Sequence, residues 1–293
     1  MTTADRYDKT TGAVDQPPLS WSRSDIEQKL YFRGGRYTRV NLVFALLTGI
    51  ILTLGFYGAL YPFEATIVGQ SFMHRGIIPY TIIFFFSWSL MILVVKGSKL
   101  RFQKRALGYQ VVPTDPDFVL TPATVDEVTR RIYETADDPR EFLLFNRILV
   151  SLSNLRNLGR ISDVDDMLRA QAENDEAGIE TSYSVLQGFV WAIPVLGFIG
   201  TVLGLSEAIG SFGAILSTSS DLAQIKPALQ KVTVGLAVAF ETTLHGLVGA
   251  MIIQLWMTAM KVGEQTFLDN CGEYCLRHVV GKLRLTPFDS AGG

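Results

Sequence analysis

Four long stretches without a formal charge decide what this chain can fold into. No residue is charged between Arg39 and Glu64, between Arg75 and Lys96, or between Glu180 and Glu207. From Lys231 to Lys261 the run is broken only by Glu241 and His245. A helix needs roughly 20 mostly apolar residues to cross about 30 Å of hydrocarbon, and each run meets that length. Core helices of a large soluble protein are the competing explanation. Only 18% of the 293 residues are charged, against roughly 25% in a soluble domain, and mean hydropathy is +0.26. That leaves too little polar surface to cover four such helices. The pattern predicts an all-α, polytopic membrane protein with spans at about 40–62, 76–95, 184–206 and 228–260. The first run starts some forty residues in and is longer than the roughly 7–15 apolar residues of a signal peptide, so it reads as a span.

Lys and Arg near span ends set orientation. Lys29, Arg33, Arg36 and Arg39 precede the first run, Lys96, Lys99, Arg101, Lys104 and Arg105 follow the second, and Lys261, Arg277, Lys282 and Arg284 follow the fourth. The connections from Pro62 to Arg75 and from Glu207 to Lys226 carry one basic residue each. Both termini and the segment between the second and third runs are therefore expected in the cytoplasm, with the two short connections outside. This divides the chain into an N-terminal tail (1–38), a cytoplasmic helical region (96–180), a domain holding spans three and four (181–262) and a C-terminal tail (263–293).

The first twenty or so residues, polar and containing Pro17 and Pro18, read as a disordered tail. Ser24 to Tyr31 reads either as a short amphipathic helix on the membrane surface, anchored by Trp21, Leu30, Tyr31 and Phe32, or as a flexible leader. Within 96–180, Thr124 with Glu127 has capping-box form and opens a helix to about Ala136. Asp138 and Pro139 mark the next start, and Phe142, Phe145, Ile148, Leu149, Leu152 and Leu155 follow at helical spacing. A third helix is expected from about Ser162 to Gly178.

Enzyme chemistry finds no foothold in the sequence. There is no phosphate-loop, nucleophile-elbow or zinc-protease motif, and His74, His245 and His278 lack metal-ligand spacing. Cys271 and Cys275, four residues apart, read as ordinary thiols more readily than as a two-ligand metal site. Net charge is −2, which gives no bias toward nucleic acid. No enzyme activity, cofactor, metal or nucleic-acid partner is expected.

Spans three and four are rich in small residues. Gly197 with Thr201, and Gly200 with Gly204, form small-xxx-small pairs that permit close helix packing. The fourth run carries Gly235, Ala239, Thr242, Thr243, Gly246, Gly249 and Ala250. Spans one and two are bulkier, which suggests that they face lipid while three and four line something. Pro194 lacks the N–H for its helical bond and is expected to bend the third span, either for packing or for function.

The stretch IPVLGFIGTVLGL, Ile193 to Leu205, resembles the third span of the MotA/TolQ/ExbB proton channel family. The stretch from Asp221 to Ala250, with a loop-end Pro, a Thr and a Gly-Leu three residues beyond it, resembles the span that packs beside it. The resemblance covers roughly Tyr183 to Lys261. It implies a pore-wall subunit of an ion-driven stator-type complex, a homopentamer in the bacterial inner membrane. Five copies would surround two helices of a single-span MotB/ExbD/TolR-like partner whose Asp binds the ion. By motif, Thr201 and Thr243 match the family's pore threonines and Pro194 the bend of the third span. Four spans look like MotA, whereas GTVLGL looks like ExbB and TolQ, so the work driven is left open.

A threonine can donate and accept along an ion path, or bond back to its own helix. Glu241 and His245 share a helix face near the middle of the fourth span, where a charged carboxylate costs at least ~2.5 kcal/mol. Glu241, counted with Thr201, Thr242 and Thr243 in the ion pathway, either titrates there or sets the field felt by the partner's aspartate. The alternative is that it is neutral, or held by a hydroxyl or the imidazole of a neighbouring helix, and serves assembly only. Two further readings stay open: a non-conducting tetraspan scaffold of the same fold, and a small-solute transporter.

Overall fold

The computed structural model describes residues 18–113, 115, 118–158, 161–218 and 222–283. The polar tail expected over residues 1–17, Asp221, and the C-terminal tail from 284 onward lie outside the described residues. Ten α-helices follow one another among those residues: α1 (Trp21–Ser24), α2 (Ile26–Lys29), α3 (Leu42–Leu60), α4 (Ile67–Met73), α5 (Ile78–Arg105), α6 (Val125–Thr135), α7 (Leu143–Leu158), α8 (Ile161–Thr181), α9 (Ser184–Thr218) and α10 (Leu222–His278). Among the described residues there is no strand, only two isolated bridges, Leu19 with Ala136 and Leu120 with Leu283. The protein is all-α. Four of its helical stretches are long and apolar enough to cross a membrane.

The chain divides into two compact units. The spanning unit comprises residues 39–97 and 179–264. Asn41 caps α3, its side chain accepting from the N–H groups of Val43 and Phe44. Gly49 brings α3 against α5, where a Cβ would lie 2.9 Å from Trp88 Cα. The most apolar window of α5 is 39% buried within the chain, against 17% in α3 and α9 and 28% in α10, so α5 packs most extensively on the other spans. Its Ile92 and Leu93 join Ala45, Tyr183, Leu186, Ile253 and Met257 in one core, and Ile82 joins Ile193 and Ala250 in another.

Lys96, read in the sequence as part of a basic flank, is 1% exposed and pairs with the fully buried Glu264 at 3.0 Å. It also donates to Ser182 Oγ (2.7 Å), while Tyr183 Oη donates to Glu264 Oε2 (2.7 Å). The ion pair offsets both charges, although Glu264 Oε1 makes no hydrogen bond; removing either partner alone from a buried pair costs about 3–5 kcal/mol.

The connection expected between Glu207 and Lys226 is largely helical. α9 continues to Thr218 and α10 begins at Leu222. Ser206, Ser211 and the glycines there do not stop the helix, because its apolar period continues.

The other unit comprises residues 1–38, 98–178 and 265–293. Here the N-terminal segment forms two single helical turns, and Trp21 is no membrane anchor. Its ring is 2% exposed and packs on Phe102 (5.7 Å) and Phe142 (5.4 Å). Asp25 and Glu27, both buried, converge on the buried Lys99, another residue read as a basic flank. Asp137 fastens the same segment, accepting from Trp21 N–H and Ser20 Oγ at 2.8 Å each. The Thr124 hydroxyl does not cap α6; it turns back to accept from Thr121 N–H (2.9 Å). Asp138 and Pro139 open a 3₁₀ turn rather than a long helix. α7 begins only at Leu143, whose N–H is taken by the buried Gln103 side chain (3.1 Å). Phe142, Phe145, Ile148, Leu152 and Leu155 are buried as the periodicity predicted.

Burial raises the Asp137 carboxyl, but the donors from Trp21, Ser20, Asp138 and Ser22 outweigh it and hold it below the usual aspartate range. A depressed folded pKa stabilises above the unfolded value, and that stabilisation is lost as pH falls through the folded one. Trp21 emission is therefore expected to shift red as pH drops below about 4, in a variant retaining only that tryptophan. Asp137→Ala should show the red-shifted spectrum already at pH 7. An unchanged spectrum in that variant would contradict the fastening role.

Candidate functional site

The small residues of α9 and α10 are spent on each other. At Gly197 a Cβ would stand 2.9 Å from the Thr242 carbonyl oxygen and 3.1 Å from Thr243 Cα. At Gly246 it would stand 2.9 Å from the Ile193 carbonyl oxygen. Gly200 faces Thr242, with a would-be Cβ 2.7 Å from Thr242 Cβ, and Gly204 faces the Gly235 carbonyl at 3.1 Å. Contacts this short leave no room for a side chain, so the two backbones touch along about three turns. The close helix packing expected of these small residues is met within the same chain. Larger side chains, among them Trp191, Phe198, Phe240 and Leu244, are left exposed on the outside of the pair.

The close approach brings two threonines to one carbonyl. Thr243 Oγ1 lies 3.2 Å from the Gly197 carbonyl oxygen and 3.3 Å from that of Ala239. Thr242, 1% exposed, lies 3.0 Å from the Ala239 carbonyl and 3.5 Å from that of Gly197. Each hydroxyl has one proton, shared between its own helix and α9, and keeps lone pairs that can accept. Thr201 is not gathered with them; its hydroxyl donates to Phe198 on its own helix. Pro194 lies inside α9, on a shallow groove of about 520 Å³ with Trp191, Phe198 and Met251.

Thr242 also lines a cavity of about 790 Å³. Arg75, Gly204, Glu207, Ser211 and Gln230 lie around it, so an apolar helix pair encloses a partly polar space.

Glu241 finds a partner that the sequence reading did not consider. Arg75, from the turn after α4, donates through Nε to Oε2 (2.9 Å) and through a terminal nitrogen to Oε1 (3.2 Å). Arg and carboxylate groups paired in this two-pronged way hold direction as well as charge. One turn along α10, the His245 ring stacks on Phe72 of α4, centroids 4.1 Å apart and 20° from parallel. His245 Nδ1 is buried without a hydrogen-bond partner. A signal for Arg75 existed in the sequence: one arginine at the head of one span, and one glutamate inside another.

Cys271 and Cys275 are buried free thiols. Among the described residues no cluster of His, Cys, Asp and Glu could hold a metal.

Residues 143–266 match the model of the MotA/TolQ/ExbB proton channel family. No curated protein and no solved structure matches the chain. The channel-family match runs from the first residue of α7 to Thr266 in α10. It contains Thr201, Thr242, Thr243, Glu241 and the α9–α10 glycines, and it reaches further toward the N-terminus than the motifs alone. Phe72 and Arg75 lie outside it. The Glu241 ion pair thus ties the channel-family segment to the part of the spanning unit that precedes it.

The backbone contact makes a graded prediction. Gly197→Ala and Gly246→Ala should each lower stability by about 1–3 kcal/mol through overpacking. Gly188→Ala, where a Cβ meets open space, should leave stability unchanged or raise it by up to about 1 kcal/mol through helix propensity. Thermal unfolding in detergent checks this; equal shifts at all three positions would contradict the packing.

Proposed function

We propose that this chain is the pore-wall subunit of a stator-type complex that converts an ion-motive force, of protons or of sodium ions, into mechanical work through a single-span partner. The observation that carries the reading is the coincidence, inside the channel-family segment, of two backbone-packed helices with Thr242 and Thr243 at their contact. Thr201, Thr242 and Thr243 supply the hydroxyls of the wall, and Glu241 flanks them. Pro194, inside α9, leaves the Val190 carbonyl without its usual helical donor and is the bend point of the third span in this reading. In this reading, following the family resemblance, the subunit sits in the bacterial inner membrane, and the basic flanks favour both termini in the cytoplasm.

Assembly uses the large side chains, because the glycines are already occupied. Trp191, Val195, Phe198, Val202, Leu205 and Ile209 form one exposed stripe along α9 at three- and four-residue spacing. Phe240, Leu244, Leu247, Met251 and Leu255 form another along α10. Stripes of that period suit helix-against-helix packing, and their occupants in this reading are further copies and the partner's span. A non-conducting scaffold is the second reading, favoured by the hydroxyls of Thr201, Thr242 and Thr243 all donating to backbone carbonyls.

Co-expression with a single-span protein carrying an aspartate near the start of its span should yield one complex of five copies and two partners by native mass measurement. Phe198→Asp with Leu244→Asp should reduce it to monomer, since each charge on an apolar span face costs about 2.5–3.5 kcal/mol. A stable monomer of the unaltered chain, with and without the partner, would refute the assembly.

A further inference from the structure

We propose that Arg75 is a positioning residue for the fourth span. In this proposal Arg75 holds Glu241 as a fixed counter-charge, and the pair, together with Phe72 on His245, latches α4 onto α10 beside the threonines. Glu241 then serves as one half of a permanent ion pair and is not a carrier loaded and unloaded by the passing ion. The role of the latch rests on the functional reading above; the latch itself does not.

The α4 segment cannot hold its own place. It has seven residues, and isolated helices shorter than about 12 residues are marginal in water. Contacts within the α3–α5 connection fix one side of it. Thr66 caps its N-terminus, Gly69 lies against the Phe63 and Glu64 backbone, Phe72 meets Phe56 edge-on (5.5 Å), and Tyr80 Oη donates to Met73 O (3.1 Å). Its hold on α10 is made by two residues three apart, Phe72 and Arg75. They reach two residues four apart, His245 and Glu241. Glu241 and His245, four apart, share one face of α10, and Phe72 on α4 and Arg75 in the turn after it meet that face together.

The charges leave little alternative. Arg75 and Glu241 side chains are 20% and 30% exposed, and charged groups within spans pair with one another or face water. Both carboxylate oxygens are taken by the guanidinium. Arg75 lines the 790 Å³ cavity and Glu241 is not among its lining residues. Arg75, with Glu207, borders that space beside Thr242. A carboxylate held on both oxygens by one guanidinium fits a fixed counter-charge better than a group that exchanges its proton with the cavity.

A double-mutant cycle in the assembled complex tests the proposal, read by Tm in detergent and by proton flux in vesicles. Arg75→Gln and Glu241→Gln should each lower Tm and cut flux about tenfold, since each strands one charge. The double variant, with two amides able to bond each other, should recover most of the lost flux and lose less Tm than the two singles added. The charge swap, Arg75→Glu with Glu241→Arg, should behave in the same direction. Additive Tm losses would overturn the latch. Recovered Tm with flux still absent in both Glu241→Gln variants would overturn the fixed counter-charge and make Glu241 a carrier. If the unaltered complex conducts nothing, the functional reading fails while the Tm cycle still decides the latch.

Discussion

Everything at the candidate site follows from how closely the α9 and α10 backbones approach. Glycine at 197, 200, 204, 235 and 246 removes the side chains that would hold the helices apart. Lipid supplies no hydrophobic drive between helices, so contact area and interhelical hydrogen bonds bring them together. The approach sets the Gly197 carbonyl within reach of Thr242 and Thr243, which puts hydroxyls at the contact itself. It also turns Trp191, Phe198, Phe240 and Leu244 outward. One local condition thus fixes both a polar seam inside the chain and an apolar surface outside it.

Charge is the second constraint on the spanning unit, and the chain meets it by pairing. Lys96 and Glu264 are almost wholly enclosed and are completed by Ser182 and Tyr183. Arg75 and Glu241 are only part-buried and form a two-pronged pair across 166 residues of sequence. The two differ in what surrounds them. The first is fully enclosed and reads as a fixed joint of α5, α10 and the turn before α9. The second borders a cavity and the threonine seam, where a change of charge is felt by whatever occupies that space.

The helices were legible because composition alone forces them: four uncharged runs of this length have few other fates. The Gly and Thr pattern of the third and fourth runs was legible for a similar reason, since small residues at three- and four-residue spacing serve close packing wherever they point. Where they point was not legible, because a helix partner in the same chain and one in a neighbouring copy ask for the same residues. How far the second span packs within the chain was not legible either; its aromatic run suits a helix neighbour as well as lipid, and Phe85, Phe86 and Trp88 are part-buried against the core clusters. Trp21 was misread, and the burial of Lys96 and Lys99 missed, for a related reason. A long amphipathic side chain near a membrane also suits a buried site when a carboxylate or an aromatic cluster waits there, and those partners lie 72 or more residues away. Arg75 escaped because pairing between distant single charges leaves no periodicity to detect.

Proton flux into vesicles containing the chain with its single-span partner bears most directly on the central reading, a hydroxyl-lined wall built on the α9–α10 contact. Thr243→Val keeps the shape of the side chain and removes the hydroxyl. Thr53→Val removes a hydroxyl bonded back to its own helix on α3 at Gly49 O, and serves as the matched control. The account predicts flux in the unaltered complex, a loss of about tenfold or more in Thr243→Val with assembly intact, and no loss in Thr53→Val. Equal flux in the unaltered and Thr243→Val complexes, or none in either, would contradict it.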